Sequence, residues 1–199
     1  MEPRVRIDLT LHQGASALDA TDVLAGLYRD AFCAPPWNEE EFNAVSFTGR
    51  LRADVQRPGF VAVIAESAGR PVGFGTAWWT RAPFPTDRRY GEVAAALGSQ
   101  RVTGWLIGAR KIDELAVSPH AQGQGIGRCL LDRLTGLDEG RGTWLLTSTR
   151  SPVTVPFYRK CGWHQITHPR EGEEAIVVFL SPHHPQAPSH GVAAEARNG

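Results

Sequence analysis

The sequence feature that most constrains the fold is a glycine-rich loop between an apolar strand and an amphipathic helix. Residues 111–117 form a short, largely apolar run that a Ser-Pro pair ends. Three glycines follow at alternate positions within residues 123–127, and leucines then recur at helical spacing as far as residue 137. The pattern predicts a buried strand, a loop and a helix in that order.

A loop of this kind is suited to binding a phosphate group. Glycine allows a positive φ and lets a ligand approach the backbone closely. The first N–H groups of a helix have no partner within the helix and carry the positive end of its dipole. Together these features favour an anion at the start of the helix.

Three classes of phosphate-binding loop compete for this stretch. A Rossmann fingerprint needs a third glycine three positions after Gly125, but Arg128 stands there, and no acidic residue follows at the usual distance. A P-loop needs Gly-Lys-Ser/Thr, which the sequence lacks. The remaining pattern is Gln122-x-x-Gly125-x-Gly127.

With this spacing the chain resembles the GNAT superfamily of acyl-CoA-dependent N-acyltransferases, whose signature is Gln/Arg-x-x-Gly-x-Gly/Ala after a strand ending in a Val-x-Pro-like turn. Residues 157–163, FYRKCGW, resemble the family's helix-ending Tyr-x-x-x-Gly-Phe segment, with Trp163 in place of Phe. The resemblance covers about residues 60–180. It implies an α/β fold in one GNAT-like domain, with a mixed, mostly antiparallel sheet, helices on both faces and a splayed central strand pair.

The resemblance also implies a co-substrate, acetyl-CoA, and no metal. In this family acyl-CoA enters the gap between the splayed strands, the pantetheine arm pairs with the backbone of the central strand, and the glycine loop holds the pyrophosphate. The residues expected to bind it are Leu115, Ala116, Val117, Gln122, Gly123, Gln124, Gly125, Ile126, Gly127, Arg128 and Ser151.

The implied reaction, direct attack of an amine on a thioester, needs an acid and a base. Tyr158 matches the family tyrosine whose hydroxyl points at the thioester sulfur; the alternative is a tyrosine that only packs its helix on the sheet. Asp113 and Glu114 stand where acidic residues of this family activate the amine, directly or through water. Neighbours in a regular strand face opposite ways, although a bulge would change this. We favour Glu114 as the base and keep Asp113 as the alternative, since Asp113 could pair with Arg110 or Lys111.

The acceptor is expected to be a primary amine of a small molecule or peptide, and its identity is left open. Trp78 and Trp79 are candidates to bind it: in a strand they face opposite ways, so one can line the acceptor side while the other is buried. Burial of both is the commoner outcome. Residues 145–149 carry no carboxylate. The subgroup of the family that acetylates protein N-termini uses a glutamate in the corresponding strand, so a protein N-terminus is a less expected acceptor. A non-catalytic acyl-CoA-binding module is the alternative function, and a dinucleotide-dependent oxidoreductase is a more distant one.

The remaining periodicities predict the order β-α-α-β-β-β-α-β-α-β. The first strand is expected over residues 4–11. The second helix is expected to be capped by Asn38 and to bury Phe42, Val45, Leu51 and Val55. Residues 81–110 form a long connection, expected to be a substrate-side insertion that acts as a lid. We expect the domain to span residues 1–182 and residues 183–199 to be a disordered tail.

Composition excludes several classes of partner. Lysine plus arginine equals aspartate plus glutamate, 21 each, so no net charge recruits nucleic acid or an anionic membrane. The three cysteines are neither spaced as a disulfide framework nor clustered with histidine. His183, His184 and His190 lack the carboxylate or cysteine spacing of a metal site. No leader or membrane span is evident, so we expect a cytoplasmic protein, and a homodimer is compatible with the pattern.

Overall fold

The computed structural model describes residues 6–170 and 174–188. Its helices and longer strands match most of the predicted order, with boundaries that differ by a few residues. The elements are β1 (Ile7–Gln13), α1 (Thr21–Phe32), α2 (Glu41–Asp54), β2 (Val61–Ser67), β3 (Arg70–Trp79), α3 (Tyr90–Arg101), β4 (Arg110–Val117), α4 (Ile126–Thr135), β5 (Thr143–Ser148), α5 (Thr154–Lys160), β6 (His164–Gln165) and β7 (Ile176–Leu180).

The seven strands form one mixed sheet in the order β1-β2-β3-β4-β5-β7-β6. Every neighbouring pair is antiparallel except β4 and β5, which are parallel. That parallel pairing covers only Arg110–Ile112 against Thr143–Leu145. Beyond it the two strands separate, and the later part of β4 presents an unpaired edge towards β5. The predicted fold class, an α/β domain with a splayed central pair, is confirmed.

Helices cover both faces of the sheet, because the inner strands are apolar on both sides. Helices α1, α2 and α3 pack on one face with Ile64, Phe74 and Trp144. Helices α4 and α5 pack on the other face, where Leu130 and Leu134 of α4 meet β2, β3 and β4. The helical leucine spacing seen in the sequence is therefore the buried side of α4.

The predicted buried side of the second helix is confirmed at Leu51 and Val55 and wrong at Phe42 and Val45. Phe42 is 72% exposed and Val45 is 64% exposed. Besides the predicted Leu51, the helix buries Ala44 and Phe47, and the three lie at i, i+3 and i+7 spacing towards the sheet. Asn38 has a φ of 46° and lies outside the helix, whose N-cap is Glu40.

The long connection and the start of the predicted tail also have structure. Within residues 81–110, α3 spans Tyr90–Arg101 and a helical turn spans Val102–Leu106. His184 lies within the predicted tail but is buried, with Nε2 2.9 Å from the carbonyl oxygen of Trp105. Residues 189–199, including His190, lie outside the described residues. No helix in the described ranges is both long and apolar enough to span a bilayer.

The two phenylalanines of α2 give a matched test of its orientation. Phe47 is 3% exposed, stacks on Tyr28 with ring centroids 4.6 Å apart, and meets Phe74 edge-on. Phe47→Ala should lower the free energy of unfolding by about 3–5 kcal/mol, because it leaves a cavity. Phe42→Ala should change it by less than about 0.5 kcal/mol. Urea unfolding of both variants measures the difference; equal losses would contradict the orientation of the helix.

Candidate active site

A cleft of about 520 Å³ opens where β4 and β5 separate. Its floor is the unpaired edge of β4 at Leu115–Val117, and its walls come from the loop before α4, from α5 and from the end of α1. The cleft therefore lies at the break in the sheet, where backbone groups are free to pair with a ligand. The lining residues are Ala31, Phe32, Pro35, Pro36, Trp37, Leu115, Ala116, Val117, Ala121, Gln122, Gly123, Gly125, Ile126, Gly127, Arg128, Ser151, Val153, Thr154, Phe157, Tyr158, Lys160 and Cys161.

The glycine loop has the conformation that an anion site needs. Gly123 and Gly125 have φ angles of 77° and 81°, which side-chain-bearing residues rarely adopt. Gly125 is the N-cap of α4, so the first free N–H groups of that helix follow it directly. The Nε2 of Gln122 donates to the carbonyl oxygen of Val117, 3.2 Å away, and so ties the loop to the end of β4. A Cβ at Gly123 or Gly125 would meet no protein atom within 4 Å, so backbone conformation is what requires glycine here.

A buried hydroxyl in the wall of the cleft is suited to an elongated polar ligand. Ser151 is 1% exposed, and its Oγ has no hydrogen-bond partner among the described residues. A buried polar atom without a partner is costly, and a bound molecule can satisfy it. With the strand edge, the loop and this hydroxyl, the cleft fits the parts of acyl-CoA that the sequence predicted it would bind: amides along β4 and phosphates at α4.

A β-bulge lies in β4 at the two predicted acidic residues. Gly75 of β3 pairs with Leu115, and Ala77 pairs with Ile112. Asp113 and Glu114 are therefore both opposite one residue of β3, Thr76. The amide of Glu114 donates to the Oγ1 of Thr76 at 3.2 Å.

The bulge places both carboxylates on the face covered by α1 and α2. Ile112 and Leu115 pack with the cluster on the opposite face. Asp113 accepts a hydrogen bond from Tyr90 of α3, and Glu114 lies 3.9 Å from Arg50 of α2, so both lie on the face that α1, α2 and α3 cover. The expectation for a regular strand, that only one of the pair could face this side, does not hold because of the bulge.

Their surroundings give the two carboxylates opposite electrostatics. Burial raises the pKa of Glu114, reinforced by the negative charge of Asp113, to about 8. Burial also acts to raise the pKa of Asp113, but the charges of Lys111 and Arg88 outweigh it and hold that pKa below its usual range. At neutral pH Asp113 is a fixed anion, while Glu114 can gain or lose a proton.

Tyr158 stands in the wall of the cleft at the middle of α5. Its ring packs near Trp163 and Phe179, and the residue is 7% exposed. Burial raises the pKa of its hydroxyl, and the charge of Glu114 contributes in the same direction. Its hydroxyl forms no hydrogen bond with another described residue, so a protonated phenol remains free to donate into the cleft.

The two tryptophans do not line the cleft. Trp78 is 2% exposed and packs edge-on against Tyr90, while the Cζ of Arg57 lies 4.4 Å from its ring centroid. Trp79 is 7% exposed and packs under the guanidinium of Arg110. Both are core residues, the outcome that the sequence made commoner, and a role in binding the acceptor stays a prediction.

Sequence inspection missed a polar group beside Glu114. The hydroxyl of Tyr28 donates to Glu39 at 2.8 Å, and the Cζ of Arg50 lies 5.1 Å from the centre of the Tyr28 ring. These residues come from α1, α2 and the turn between them, and only their packing brings them to β4. The only local signal is a run of three glutamates, residues 39–41, since Glu39 is part of this group.

Within residues 6–170 and 174–188, no group of three or more His, Cys, Asp or Glu side chains is placed to share a metal ion. The three cysteines are unpaired thiols.

Solved acetyltransferases share this fold. An acetyltransferase from Thermus thermophilus aligns with a TM-score of 0.58 and 16% identity over 90% of this chain and 98% of its own. The PaiA N-acetyltransferase from Thermoplasma acidophilum was solved in complex with coenzyme A. It aligns with a TM-score of 0.58 and 14% identity over 88% of this chain and 99% of its own. Arabidopsis thaliana NAA60 was solved in complex with acetyl-CoA. It aligns with a TM-score of 0.59 and 15% identity over 88% of this chain and 97% of its own. Among curated protein sequences, none matches the chain.

A sequence model of the acetyltransferase (GNAT) domain matches residues 58–165. The match covers more than half of the 199 residues. It runs from the start of β2 to the end of β6 and includes the bulge, the glycine loop and Tyr158. The chain therefore belongs to the GNAT acetyltransferase family.

Proposed function

We propose that the protein transfers an acetyl group from acetyl-CoA to a primary amine of a small molecule or peptide, by direct attack of the amine in a ternary complex. The observation that carries the proposal is the arrangement around one cleft. The open edge of β4 and the glycine loop border it, Tyr158 stands in its wall, and Glu114 precedes the open edge.

Backbone groups would provide most of the binding energy for acetyl-CoA. On the β5 side the peptide groups of Leu115–Val117 have no strand partner, and they would pair with the pantetheine amides, at about 1 kcal/mol per bond. The Val117 carbonyl already accepts from Gln122, so its N–H is the group available there. The N–H groups of Gln122–Arg128 would hold the pyrophosphate, at about 1.5–3 kcal/mol per charge-assisted bond. Ser151 would add a hydroxyl to the wall. The glycine loop is therefore the main anchor.

The chain's own acid and base would handle the protons. Acetyl-CoA supplies the acyl group as a thioester. The acceptor is an ammonium ion at neutral pH, with an ordinary pKa of about 10.4, and must lose a proton before it can attack. Glu114, with its raised pKa, would accept that proton directly or through water. Tyr158 would donate its phenol proton to the departing sulfur.

Thiol release tests the proposal. Acetyl-CoA would be incubated with the protein and a panel of amines, amino acids, aminoglycosides and peptides, and free coenzyme A measured with a thiol reagent. We expect amine-dependent release with at least one acceptor class, with the acetylated amine identified by mass spectrometry. Tight binding of coenzyme A without release for any acceptor would instead favour a non-catalytic binding module.

Replacing Gly125 tests the anchor. Gly125→Val should weaken coenzyme A binding by about tenfold or more, since the new side chain projects into the cleft and the φ of 81° disfavours it. Calorimetry measures the affinity.

Gly140 is a matched control because it also has a positive φ. Its φ is 75°, a Cβ there also meets nothing within 4 Å, and it lies in the turn before β5, away from the cleft lining. Gly140→Val should cost similar stability but leave coenzyme A affinity unchanged. A Gly125→Val variant that binds coenzyme A as well as the parent would contradict the proposed anchor.

A further inference from the structure

A network of ion pairs ties the segment before α3 to the bulge in β4. Arg88 donates from Nη1 to the Oδ2 of Asp113 at 2.5 Å and from Nη2 to the Oδ2 of Asp54 at 2.6 Å. Asp54 is at the end of α2, and its other oxygen accepts from Arg57 at 2.9 Å. Lys111 also pairs with Asp113. One guanidinium thus bridges α2 and the central strand.

The backbone of Arg88 indicates that this bridge is held firmly. Its φ is 51°, in the left-handed region that costs free energy for a residue with a side chain. Such a conformation persists where the surroundings fix it. The side chain is 28% exposed and that of Asp113 is 5% exposed, so the pair is poorly screened by solvent. The next residue, Arg89, makes a surface pair with Glu92, and this makes it a natural control.

We propose that Arg88 is a positioning residue for Glu114: by pairing with Asp54 and Asp113 together, it holds the bulge that turns both carboxylates of β4 to the α2 face. The inference rests on the proposed function only for the role it gives Glu114. In this proposal the connection before α3 has a function, holding the bulge through Arg88, that does not require the connection to move.

The charges around Glu114 predict the sign of each change in its pKa. Asp113 and Lys111 approach it from β4, Arg50 from α2 and Arg88 from the connection before α3, while the hydroxyls of Tyr28 and Tyr158 approach from α1 and α5. Asp113 acts to raise the pKa of Glu114, whereas Arg88 acts to lower it. Removing the two partners of one ion pair should therefore shift the titration of Glu114 in opposite directions. These shifts follow from charge alone, so the exchange rate of the Glu114 amide is the measurement that shows whether Arg88 also holds the bulge.

Direct titration of Glu114 tests this without relying on acyl transfer. Protein labelled with ¹³C at the glutamate side-chain carboxyl would be titrated by NMR, with the Glu114 signal assigned from Glu114→Gln. We expect Arg88→Gln to raise the pKa of Glu114 by about one unit and Asp113→Asn to lower it by about one unit or more. Arg89→Gln should leave it unchanged. Hydrogen exchange of the Glu114 amide, which donates to Thr76, should be faster in Arg88→Gln and unchanged in Arg89→Gln.

The outcomes separate cleanly. Opposite shifts in Arg88→Gln and Asp113→Asn, together with faster exchange at Glu114, support the positioning role. Unchanged titration in Arg88→Gln, or equal shifts in Arg88→Gln and Arg89→Gln, would overturn it. If Arg88→Gln does not fold, Arg88→Lys keeps the cation but replaces the two separate Nη donors with a single nitrogen on a flexible chain. A Glu114 amide that exchanges as slowly in Arg88→Lys as in the parent would also overturn the proposal. Failure of the proposed function appears separately, as an absence of thiol release.

Discussion

Tyr158→Phe should lower kcat by about 10- to 1,000-fold while leaving the affinity for coenzyme A close to that of the parent. The substitution keeps the ring, which packs between Trp163 and Phe179, and removes only the hydroxyl. Burial raises the pKa of that hydroxyl, so it stays protonated over the whole working range of pH and remains a donor. Steady-state kinetics with a saturating amine measures the loss.

The affinity for coenzyme A and the melting temperature are the controls for this variant. Both should match the parent, because no described side chain loses a hydrogen bond when the hydroxyl is removed. The measurement must be made where chemistry limits the rate, which an absence of solvent-viscosity dependence establishes. An unchanged kcat under that condition would return Tyr158 to a packing role, the alternative that its burial also allows.

The parts of the site made by neighbouring residues are those that could be predicted from the sequence. The strand before the glycine loop, the positive φ angles within it and the helix after it all depend on local spacing and on the backbone freedom of glycine. The separation of β4 from β5 came from the family resemblance, since nothing in the spacing of either strand indicates where the pairing stops. Their pairing over Arg110–Ile112 alone is a tertiary property.

The parts made by distant residues could not be predicted in this way. Arg50 and Arg88 lie 64 and 26 positions before Glu114 in the chain, counted from their residue numbers, and their sequence neighbours carry no sign of a site. The bulge was anticipated only as a reason for doubt about side-chain direction. Phe42 and Val45 misled the interpretation of α2, because exposed apolar residues look like a buried face when only their spacing is known.

Glu114→Gln should lower kcat/KM by about 100- to 10,000-fold near pH 8, the range typical of a lost general base. The glutamine keeps the shape of the side chain and its place beside Arg50 but cannot accept the proton of an ammonium ion. In the parent, burial raises the pKa of Glu114 to about 8. This brings it closer to the pKa of an amine than an ordinary carboxyl at about 4.3, so proton transfer to it is easier.

The pH profile gives the sign of the effect. Because the carboxylate is the active form, kcat/KM of the parent should fall about tenfold per pH unit below about 8, where Glu114 becomes protonated. In Glu114→Gln that limb should disappear and be replaced by one set by the free amine, near its own pKa of about 10.4. Glu92→Gln, which removes an exposed carboxylate paired with Arg89, is the matched control and should keep the parent profile. If Glu114→Gln also kept it while Asp113→Asn lost activity, the base would be Asp113; if neither substitution mattered, solvent would deprotonate the amine.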